Sequence, residues 1–482
     1  MLDLRSSLYV IGLLLIVLAV SMTFPAIADA AAYGNVWPVF IKSAAATLFV
    51  GVGLALAFRQ PEFKLSVRET FVLTTASWIT ISLFASLPLW LSSSEMSLTD
   101  AFFEAMSGLT TTGSTVLSDL DNTPKGILLW RAILQWLGGI GIIVMAVAVL
   151  PILQVGGMQL FRTESSDHSQ KLLPRAAPIA GRITVMYLGL TLIWAVALWS
   201  AGMGKFDAVC HAMTTIATGG FSTSDGSIGH FNKATIDWII IVGMLIGSMP
   251  FILYLRALRG DLGALAFDSQ VRWFIAFCMI ATVAMTSWLY FQLDAPPSTA
   301  FRYATFNTIS VMTGTGYTTA PFHQWGSFAV AMLFFLMFVG GCTGSTTGGI
   351  KIFRFQLLFN SARVQLGHLI RPHAVTTLRF NREPVPSDIA NAVRGFFFVF
   401  IAGFVVTTVA LGLHGYDFVT SASGAATAIA NVGPGLGPLI GPNGNFASID
   451  DTAKWILSAA MLLGRLELFT VLVLFIPSFW RG

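Results

Sequence analysis

Charged residues are scarce in this 482-residue chain: Asp, Glu, Lys and Arg together make up 10%, against about a quarter in ordinary soluble domains. Hydrophobic residues make up 55%, and the mean hydropathy is +0.76. The core of a water-soluble domain could not bury so large an excess of apolar side chains. The composition therefore excludes an ordinary soluble protein and predicts a polytopic helical membrane protein.

Cysteine and histidine are also few, and their spacing builds no disulfide framework or metal centre. The three cysteines show no paired or metal-ligand spacing, and the seven histidines include no His-Glu-x-x-His pair. No nucleophile–base motif and no Gly-x-Gly-x-x-Gly fingerprint occurs. These absences argue against a membrane-embedded enzyme, the alternative from a different functional class, and we predict that the chain is not an enzyme.

Apolar runs long enough to cross about 30 Å of hydrocarbon recur ten times. They lie near residues 8–28, 37–58, 69–92, 127–152, 182–201, 235–257, 271–292, 326–358, 387–413 and 453–479. The first resembles a secretory signal, but it is longer than the roughly 7–15 apolar residues of such signals, and a second run follows at once. We therefore predict that it is retained as a span.

The charges between the spans separate by sign. Cations collect in alternate segments: Arg59, Lys64, Arg68, Arg162, Lys171, Arg175, Arg256, Arg259, Arg272, Arg363, Arg371, Arg379 and Arg382. The opposite segments carry the acids Glu95, Asp100, Asp119, Asp121, Asp207, Asp225, Asp294, Asp417, Asp450 and Asp451. By the positive-inside rule the basic loops are cytoplasmic, and so are both termini.

One pattern recurs four times, always between two spans and on the acidic side. The runs FEAMSGLTTTG, CHAMTTIATGG, FNTISVMTGTG and SGAATAIANVG end at Gly113, Gly220, Gly316 and Gly433, at intervals of 107, 96 and 117 residues. A hydroxyl lies six positions before each glycine: Ser107, Thr214, Ser310 and Thr427. Any single run could be a small-residue contact between membrane helices. The fourfold recurrence instead favours a cation-conducting pore built of span–short helix–glycine segment–span units.

The backbone conformation that such a pore requires explains the four glycines. Non-helical backbone at membrane depth must be buried in protein or line a watery cavity, and glycine adopts positive φ at little cost. Four such segments around an axis would present a ring of carbonyl oxygens that replaces an ion's hydration shell. Helix C-terminal ends directed at the pore favour a cation, and acids at the outer mouth would concentrate cations. The predicted filter residues are Thr111, Thr112, Gly113, Thr218, Gly219, Gly220, Thr315, Gly316, Asn431, Val432 and Gly433.

Over nearly its whole length the chain resembles the Trk/Ktr/HKT superfamily of potassium transporters, specifically the Trk-type membrane subunit. The resemblance is carried by TTTGST (110–115), TGGFST (218–223), TGTGYTT (313–319), NVGPGLG (431–437), GGCTGSTTGGIKIFR (340–354) and GRLELF (464–469). It implies an all-α fold with four pseudo-symmetric span–pore loop–span repeats around a central pore. The predicted divisions are two extra N-terminal spans (1–60) and the repeats 61–155, 156–260, 261–382 and 383–482.

The filter segments depart from the Thr-Val-Gly-Tyr-Gly strand of potassium channels. Only Gly220-Phe221 and Gly316-Tyr317 keep a glycine followed by an aromatic residue. We therefore expect fewer ordered carbonyl layers and weaker discrimination of K⁺ from Rb⁺ or Na⁺.

The run GGCTGSTTGG interrupts the span near 326–358, where each glycine costs about 1 kcal/mol relative to alanine in a helix. It could serve close helix packing, but we predict a broken helix that blocks the filter, which the resemblance identifies as the intramembrane gate loop. The gate residues are Gly344, Ser345, Thr346, Thr347, Gly348 and Gly349, together with Arg465 in the last span. Arg465 either points into the pore, as the resemblance implies, or pairs with a buried acid. Lys351 and Arg354 are expected to be cytoplasmic-end anchors, although they could also tune permeation.

The predicted function is uptake of K⁺ across the inner (cytoplasmic) membrane. The alternative within transport is a sodium- or proton-coupled symporter of the same fold. K⁺ is expected as the transported ion, with no organic cofactor in the chain, and the partners include membrane lipid but no nucleic acid. The resemblance further implies a homodimer and a cytosolic ring of NAD- or ATP-binding regulatory subunits. The basic loops at 162–182 and 363–382 are candidate docking surfaces, although the positive-inside rule explains them equally well.

Overall fold

The computed structural model describes residues 3–60, 66–92, 96–148, 153, 156–157, 173–261, 263–373, 377–381 and 383–481. The predicted loop charges Lys64, Glu95, Arg162, Lys171 and Arg382 and the side chain of Arg175 lie outside this description, as does much of the candidate docking surface at 162–182.

Almost all of the regular structure in the described residues is helical. The α-helices are Arg5–Ser21, Thr23–Ala31, Trp37–Ala57, Val67–Ala85, Leu87–Ser92, Leu98–Leu109, Lys125–Ala148, Leu173–Ser200, Lys205–Ile216, Ala234–Gly247, Phe251–Ala257, Gly263–Phe267, Ser269–Gln292, Pro297–Met312, Ser327–Leu336, Ile352–Ile370, Ser387–Leu413, Phe418–Ala430, Gly437–Ile440, Asp451–Arg465, Phe469–Leu472 and Pro477–Arg481. Short 3-10 turns occupy Leu120–Asn122, Ser227–Phe231, Phe322–Gln324 and Val473–Phe475. Two short antiparallel strands, Arg379–Phe380 and Glu383–Pro384, pair with each other.

Seven of the ten predicted spans are helices long and apolar enough to cross a membrane, within the described part of the chain. The stretches near 235–257 and 453–479, each predicted as one span, are helix pairs bent by 96° and 107°. The first bend precedes Pro250, which has no N–H for a continuing helix. At the second, Glu467 and Leu468 take positive φ values. Near 326–358, helix Ser327–Leu336 stops and Ile352–Ile370 begins after an irregular loop, so the predicted break is present.

The spans differ in how much of their surface the protein covers. In the most apolar window of Pro178–Ser200 only 17% of residues are buried, and in that of Ser387–Leu413 22%, against 67% for Lys125–Ala146. Large apolar side chains such as Phe49 and Phe398 are exposed on the outer spans. Apolar exposure of this extent fits a lipid-facing surface, whereas helix Lys125–Ala148 lies largely inside the protein. The predicted all-α polytopic membrane fold is confirmed.

The two N-terminal spans pack closely against each other. A Cβ at Gly12 would lie only 2.8 Å from the Gly51 carbonyl oxygen, so the two glycines allow the backbones to approach. The buried Asp29 carboxylate accepts hydrogen bonds from the backbone N–H groups of Val36 (2.8 Å) and Trp37 (2.9 Å). These bonds satisfy N–H groups at the start of helix Trp37–Ala57 that have no partner within the helix.

Candidate ion pathway

A short helix precedes each of the four glycine segments; we call these the pore helices. They span Leu98–Leu109, Lys205–Ile216, Pro297–Met312 and Phe418–Ala430. Ser97 and Asp417 cap the first and the fourth, each accepting a backbone N–H at 3.0 Å. We call Gly113, Gly220, Gly316 and Gly433 the ring glycines. At all four C-terminal ends, the residue before the ring glycine donates its N–H to the carbonyl five positions earlier, at 2.9–3.0 Å. One backbone geometry thus ends all four helices.

The four segments share an unusual backbone conformation after that point. The residue two positions before each ring glycine is left-handed, with φ of 53° at Thr111, 50° at Thr218, 64° at Gly314 and 54° at Asn431. The ring glycines themselves have φ of 89°, 79°, 79° and 114° in chain order. Since L-residues with side chains rarely adopt such values, the repeat is a backbone repeat as well as a sequence pattern.

The ring glycines pack head to tail around a common axis. A Cβ on Gly113 would fall less than 3.0 Å from the Gly219 carbonyl oxygen. A Cβ on Gly220 would likewise fall less than 3.0 Å from the Thr315 carbonyl oxygen, and a Cβ on Gly316 less than 3.0 Å from that of Val432. A Cβ on Gly433 would lie 3.0 Å from the Thr112 carbonyl oxygen. Each segment thus contacts the next one, and the fourth contacts the first, so the four segments close a ring that contains four backbone carbonyls.

The structure brings all eleven predicted filter residues together at this ring. Side chains tie the first and fourth segments to each other: Ser114 Oγ donates to the Gly433 carbonyl at 2.7 Å, and Asn431 Nδ2 donates to Thr112 Oγ1 at 2.9 Å. Two of the four hydroxyl side chains that lie six residues before the ring glycines form hydrogen bonds to these segments. Ser310 Oγ donates to the Tyr317 carbonyl at 2.7 Å, and Thr427 Oγ1 accepts the Gly433 N–H at 2.8 Å.

An open cavity of about 270 Å³ lies on one side of the ring, lined by all four ring glycines. Two of the acids predicted for an outer mouth, Asp119 and Asp225, line this cavity. Asp225 also accepts the Leu120 N–H at 3.0 Å, which holds its carboxylate in place. The cavity therefore presents negative charge to an ion that approaches the ring.

The irregular loop 340–351 lies on the opposite side of the ring. Thr346 Oγ1 lies 3.0 Å from Thr218 Oγ1 and donates to the Gly247 carbonyl at 2.9 Å. A Cβ on Gly348 would fall within 3.0 Å of the Ala430 carbonyl, so this glycine packs against the end of the fourth pore helix. Of the predicted gate residues, Thr346 and Gly348 thus contact the segments that form the ring, and the packing at position 348 requires glycine.

Arg465 is buried at 2% exposure and contacts this loop. Its Nη1 donates to the Thr346 carbonyl at 2.9 Å, and its Nη2 lies 3.5 Å from the Gly138 carbonyl oxygen. Among the described residues, no carboxylate forms an ion pair with Arg465, and its hydrogen-bond partners there are backbone carbonyls. A small cavity of about 20 Å³ lies between Arg465, Gly348, Lys351 and their neighbours.

Lys351 and Arg354 are not surface anchors, contrary to the expectation from the sequence. Both are buried, with exposures of 7% and 0%. Lys351 Nζ donates to the Thr347 carbonyl, and Arg354 forms an ion pair with Glu467. The expectation failed because Lys351 ends, and Arg354 closely follows, an irregular loop that is folded back into the protein, where a straight span would have ended at the membrane surface.

Glu104 and Arg131 form a buried ion pair that the sequence reasoning missed. Arg131 Nε donates to Glu104 at 2.7 Å and Nη1 donates to the Ser222 carbonyl at 3.0 Å. Glu104 also accepts the Val116 N–H at 2.9 Å. The pair therefore joins segments of the first and second repeats, and Arg131 also lines the cavity beside the ring. A charge within each of two apolar helices was the signal that could have identified it.

Arg131→Met is expected to destabilise the protein by about 3–5 kcal/mol, because it leaves the Glu104 carboxylate buried without its partner. The thermal unfolding midpoint in detergent measures the loss. The double variant Arg131→Met/Glu104→Gln should recover a large part of it, since the uncompensated charge is gone. Equal midpoints for wild type and Arg131→Met would contradict a structural role for the pair.

Together these features define a polytopic membrane protein in which four re-entrant segments meet in a ring of backbone carbonyls. Comparison with known proteins identifies the family. The family model TrkH, described as a cation transport protein, matches residues 37–481, and the chain belongs to this family.

Individual relatives cover nearly the whole chain. The Trk system potassium uptake protein TrkI of Halomonas elongata is 47% identical, over 98% of this chain and 96% of that protein. The Trk system potassium uptake protein TrkH of Escherichia coli is 39% identical over 99% of both. The crystal structure of the potassium transporter TrkH from Vibrio parahaemolyticus matches with a TM-score of 0.92 and 37% identity, covering 100% of both chains. The resemblance to Trk-type membrane subunits is confirmed, as is the prediction of a transport protein and not an enzyme.

Proposed function

We propose that this protein takes up K⁺ across the cytoplasmic membrane, through a selectivity filter of backbone carbonyls closed by the intramembrane loop. The single observation that carries the proposal is the closed ring of four glycines, each of which lies against a backbone carbonyl of the next repeat. A ring of carbonyl dipoles can replace the hydration shell of a monovalent cation. The printed names of the relatives, potassium uptake proteins, support K⁺ as the ion.

In this proposal the eleven filter residues form the ring, and the four repeats, with the boundaries predicted from the sequence, surround it. The pore helices direct their carbonyl ends at the space beneath the ring, which favours a cation. Asp119 and Asp225 at the cavity attract cations from outside. K⁺ is thus the transported ion, and no organic cofactor takes part.

The loop residues 344–349 and Arg465 form the gate in this proposal. The hydrogen bond from Arg465 to the Thr346 carbonyl supports a closed arrangement, since it holds the loop against the ring. The guanidinium adds a positive charge on the path of an ion leaving the ring. Opening then requires that the loop move away from the second and fourth repeats.

The surroundings of the protein follow from the family. We propose an inner-membrane location with cytoplasmic termini, so that the cavity with the acids faces outward. A homodimer, contacts with membrane lipid and a cytosolic ring of nucleotide-binding subunits are the expected partners. The basic loop at 363–382 is one candidate contact for such a ring.

Purified protein in liposomes, under separate K⁺, Rb⁺ and Na⁺ gradients, tests the function. We expect K⁺ flux to exceed Na⁺ flux, with incomplete exclusion of Rb⁺. K⁺ flux that requires a Na⁺ or proton gradient would instead support the coupled symporter. Equal flux of all three ions would reject the filter.

A further inference from the structure

Gly219 differs from its counterparts in the other repeats. The residues directly before the other ring glycines are Thr112, Thr315 and Val432, all of which carry side chains. A Cβ on Gly219 would fall less than 3.0 Å from the side-chain carboxamide of Gln135. Gln135, on helix Lys125–Ala148 of the first repeat, thus fills the space where the second repeat lacks a side chain.

The carboxamide of Gln135 is fully buried and makes two hydrogen bonds to this segment. Its Oε1 accepts the Phe221 N–H at 3.0 Å, and its Nε2 donates to the Gly219 carbonyl at 2.5 Å. Because a backbone N–H can only donate, the Phe221 bond fixes which end of the amide faces Gly219. The bonded carbonyl is the one that lies against Gly113 in the ring.

The other three carbonyls of the ring lack such a partner among the described residues. Within the described residues, no hydrogen-bond donor reaches the carbonyl oxygens of Thr112, Thr315 or Val432. The ring therefore presents three free oxygens and one that is shared with an amide. This inequality comes from a single side chain of a neighbouring repeat.

Gln135 differs from the residues at the equivalent positions of the second and fourth repeats. Three residues after it, Gly138 packs against the Leu109 carbonyl at the end of its pore helix. Gly247 and Gly464 pack in the same way against the Ile216 and Ile429 carbonyls. Three positions before these two glycines are methionines, Met244 and Met461. Glutamine thus replaces, in the first repeat, a methionine of similar length that has no N–H.

We propose that Gln135 is a positioning residue that sets the preference of the ring for K⁺ over Na⁺, by holding the Gly219 carbonyl and sharing its lone pairs. The inference rests on the proposed K⁺ function of the ring. Without the amide, the carbonyl is less fixed and its full dipole acts on the ion. A looser ring discriminates less by size, and a stronger field favours the smaller Na⁺, so both accounts of selectivity predict the same direction.

Gln135→Met tests the proposal, since it installs the residue of the second and fourth repeats. The K⁺/Na⁺ flux ratio in liposomes is expected to fall by about fivefold, the effect of one net hydrogen bond. Met244→Leu, an apolar exchange at the equivalent position of the second repeat, is the matched control and should keep the wild-type ratio. A merely structural role would lower the total flux through loss of folded protein and leave the ratio unchanged.

If Gln135→Met does not fold, Gln135→Asn tests the same proposal. It keeps the amide but shortens the side chain by one methylene, which draws the donor back from Gly219, so the ratio should fall again. If the folded Gln135 variants keep the wild-type K⁺/Na⁺ flux ratio, Gln135 does not set the preference for K⁺. If the wild-type protein itself shows no preference for K⁺, the proposed function fails, which is a different result from the failure of this inference.

Discussion

Gly220→Ala is expected to abolish K⁺ uptake, although it adds only one methyl group. Gly220 has a φ of 79°, and its Cβ would fall less than 3.0 Å from the Thr315 carbonyl of the next repeat. The left-handed conformation alone costs an L-residue roughly 1–2 kcal/mol. The overlap is with backbone, so no side-chain rotation can relieve it. The ring must widen or the carbonyl must turn, and either change displaces a carbonyl from the proposed ion site.

Gly53→Ala is the matched control, because a Cβ on Gly53 would meet nothing within 4 Å. K⁺ flux into liposomes is measured for both variants, together with the amount of folded protein recovered from the membrane. We expect background flux for Gly220→Ala and wild-type flux for Gly53→Ala. Wild-type flux through folded Gly220→Ala would contradict the ring as the ion pathway.

Arg465→Met is expected to increase K⁺ flux. The substitution removes the hydrogen bond that holds the Thr346 carbonyl and also removes a buried positive charge beside the loop. A unit charge about 8 Å from an ion costs about 2 kcal/mol at an effective dielectric constant of about 20. Since about 1.4 kcal/mol corresponds to tenfold, that barrier corresponds to a roughly 30-fold change in flux.

Arg465→Lys separates the two contributions of Arg465. Lysine keeps the charge but cannot reproduce the planar, forked geometry of the guanidinium. If the charge forms the barrier, flux through Arg465→Lys stays near wild type while flux through Arg465→Met rises. Equal increases in both variants would assign the effect to the loop contact. Unchanged flux in both would remove Arg465 from the gate.

The irregular backbone was predictable from local sequence because its physical requirements are local. An apolar run of about 20 residues predicts a span wherever it occurs. A glycine and hydroxyls between two spans indicate backbone that cannot be plain helix in lipid. The ring glycines and the loop after Gly340 were found in this way. The bends near Pro250 and Glu467 were missed, since hydropathy alone does not distinguish a bent span from a straight one.

The partners of the buried polar groups were not predictable in the same way. Arg354 and Glu467 lie 113 residues apart, and Gln135 and Gly219 lie 84 apart. Which of these side chains meet depends on how whole repeats pack around the axis. For this reason Arg354 resembled a surface anchor in the sequence, and Gln135 gave no signal beyond one polar residue in an apolar helix.

The sequence by itself determined the membrane class of this protein, its four repeated units and the glycines at which the backbone leaves the helix. Those features depend on composition and on the conformational limits of single residues. Only the tertiary structure decided that the four segments close into a ring, that the loop packs against its underside, and that one ring carbonyl is shared with Gln135. Each of these depends on contacts between distant repeats, since carbonyls and side chains can satisfy one another only after packing has brought them within hydrogen-bond distance.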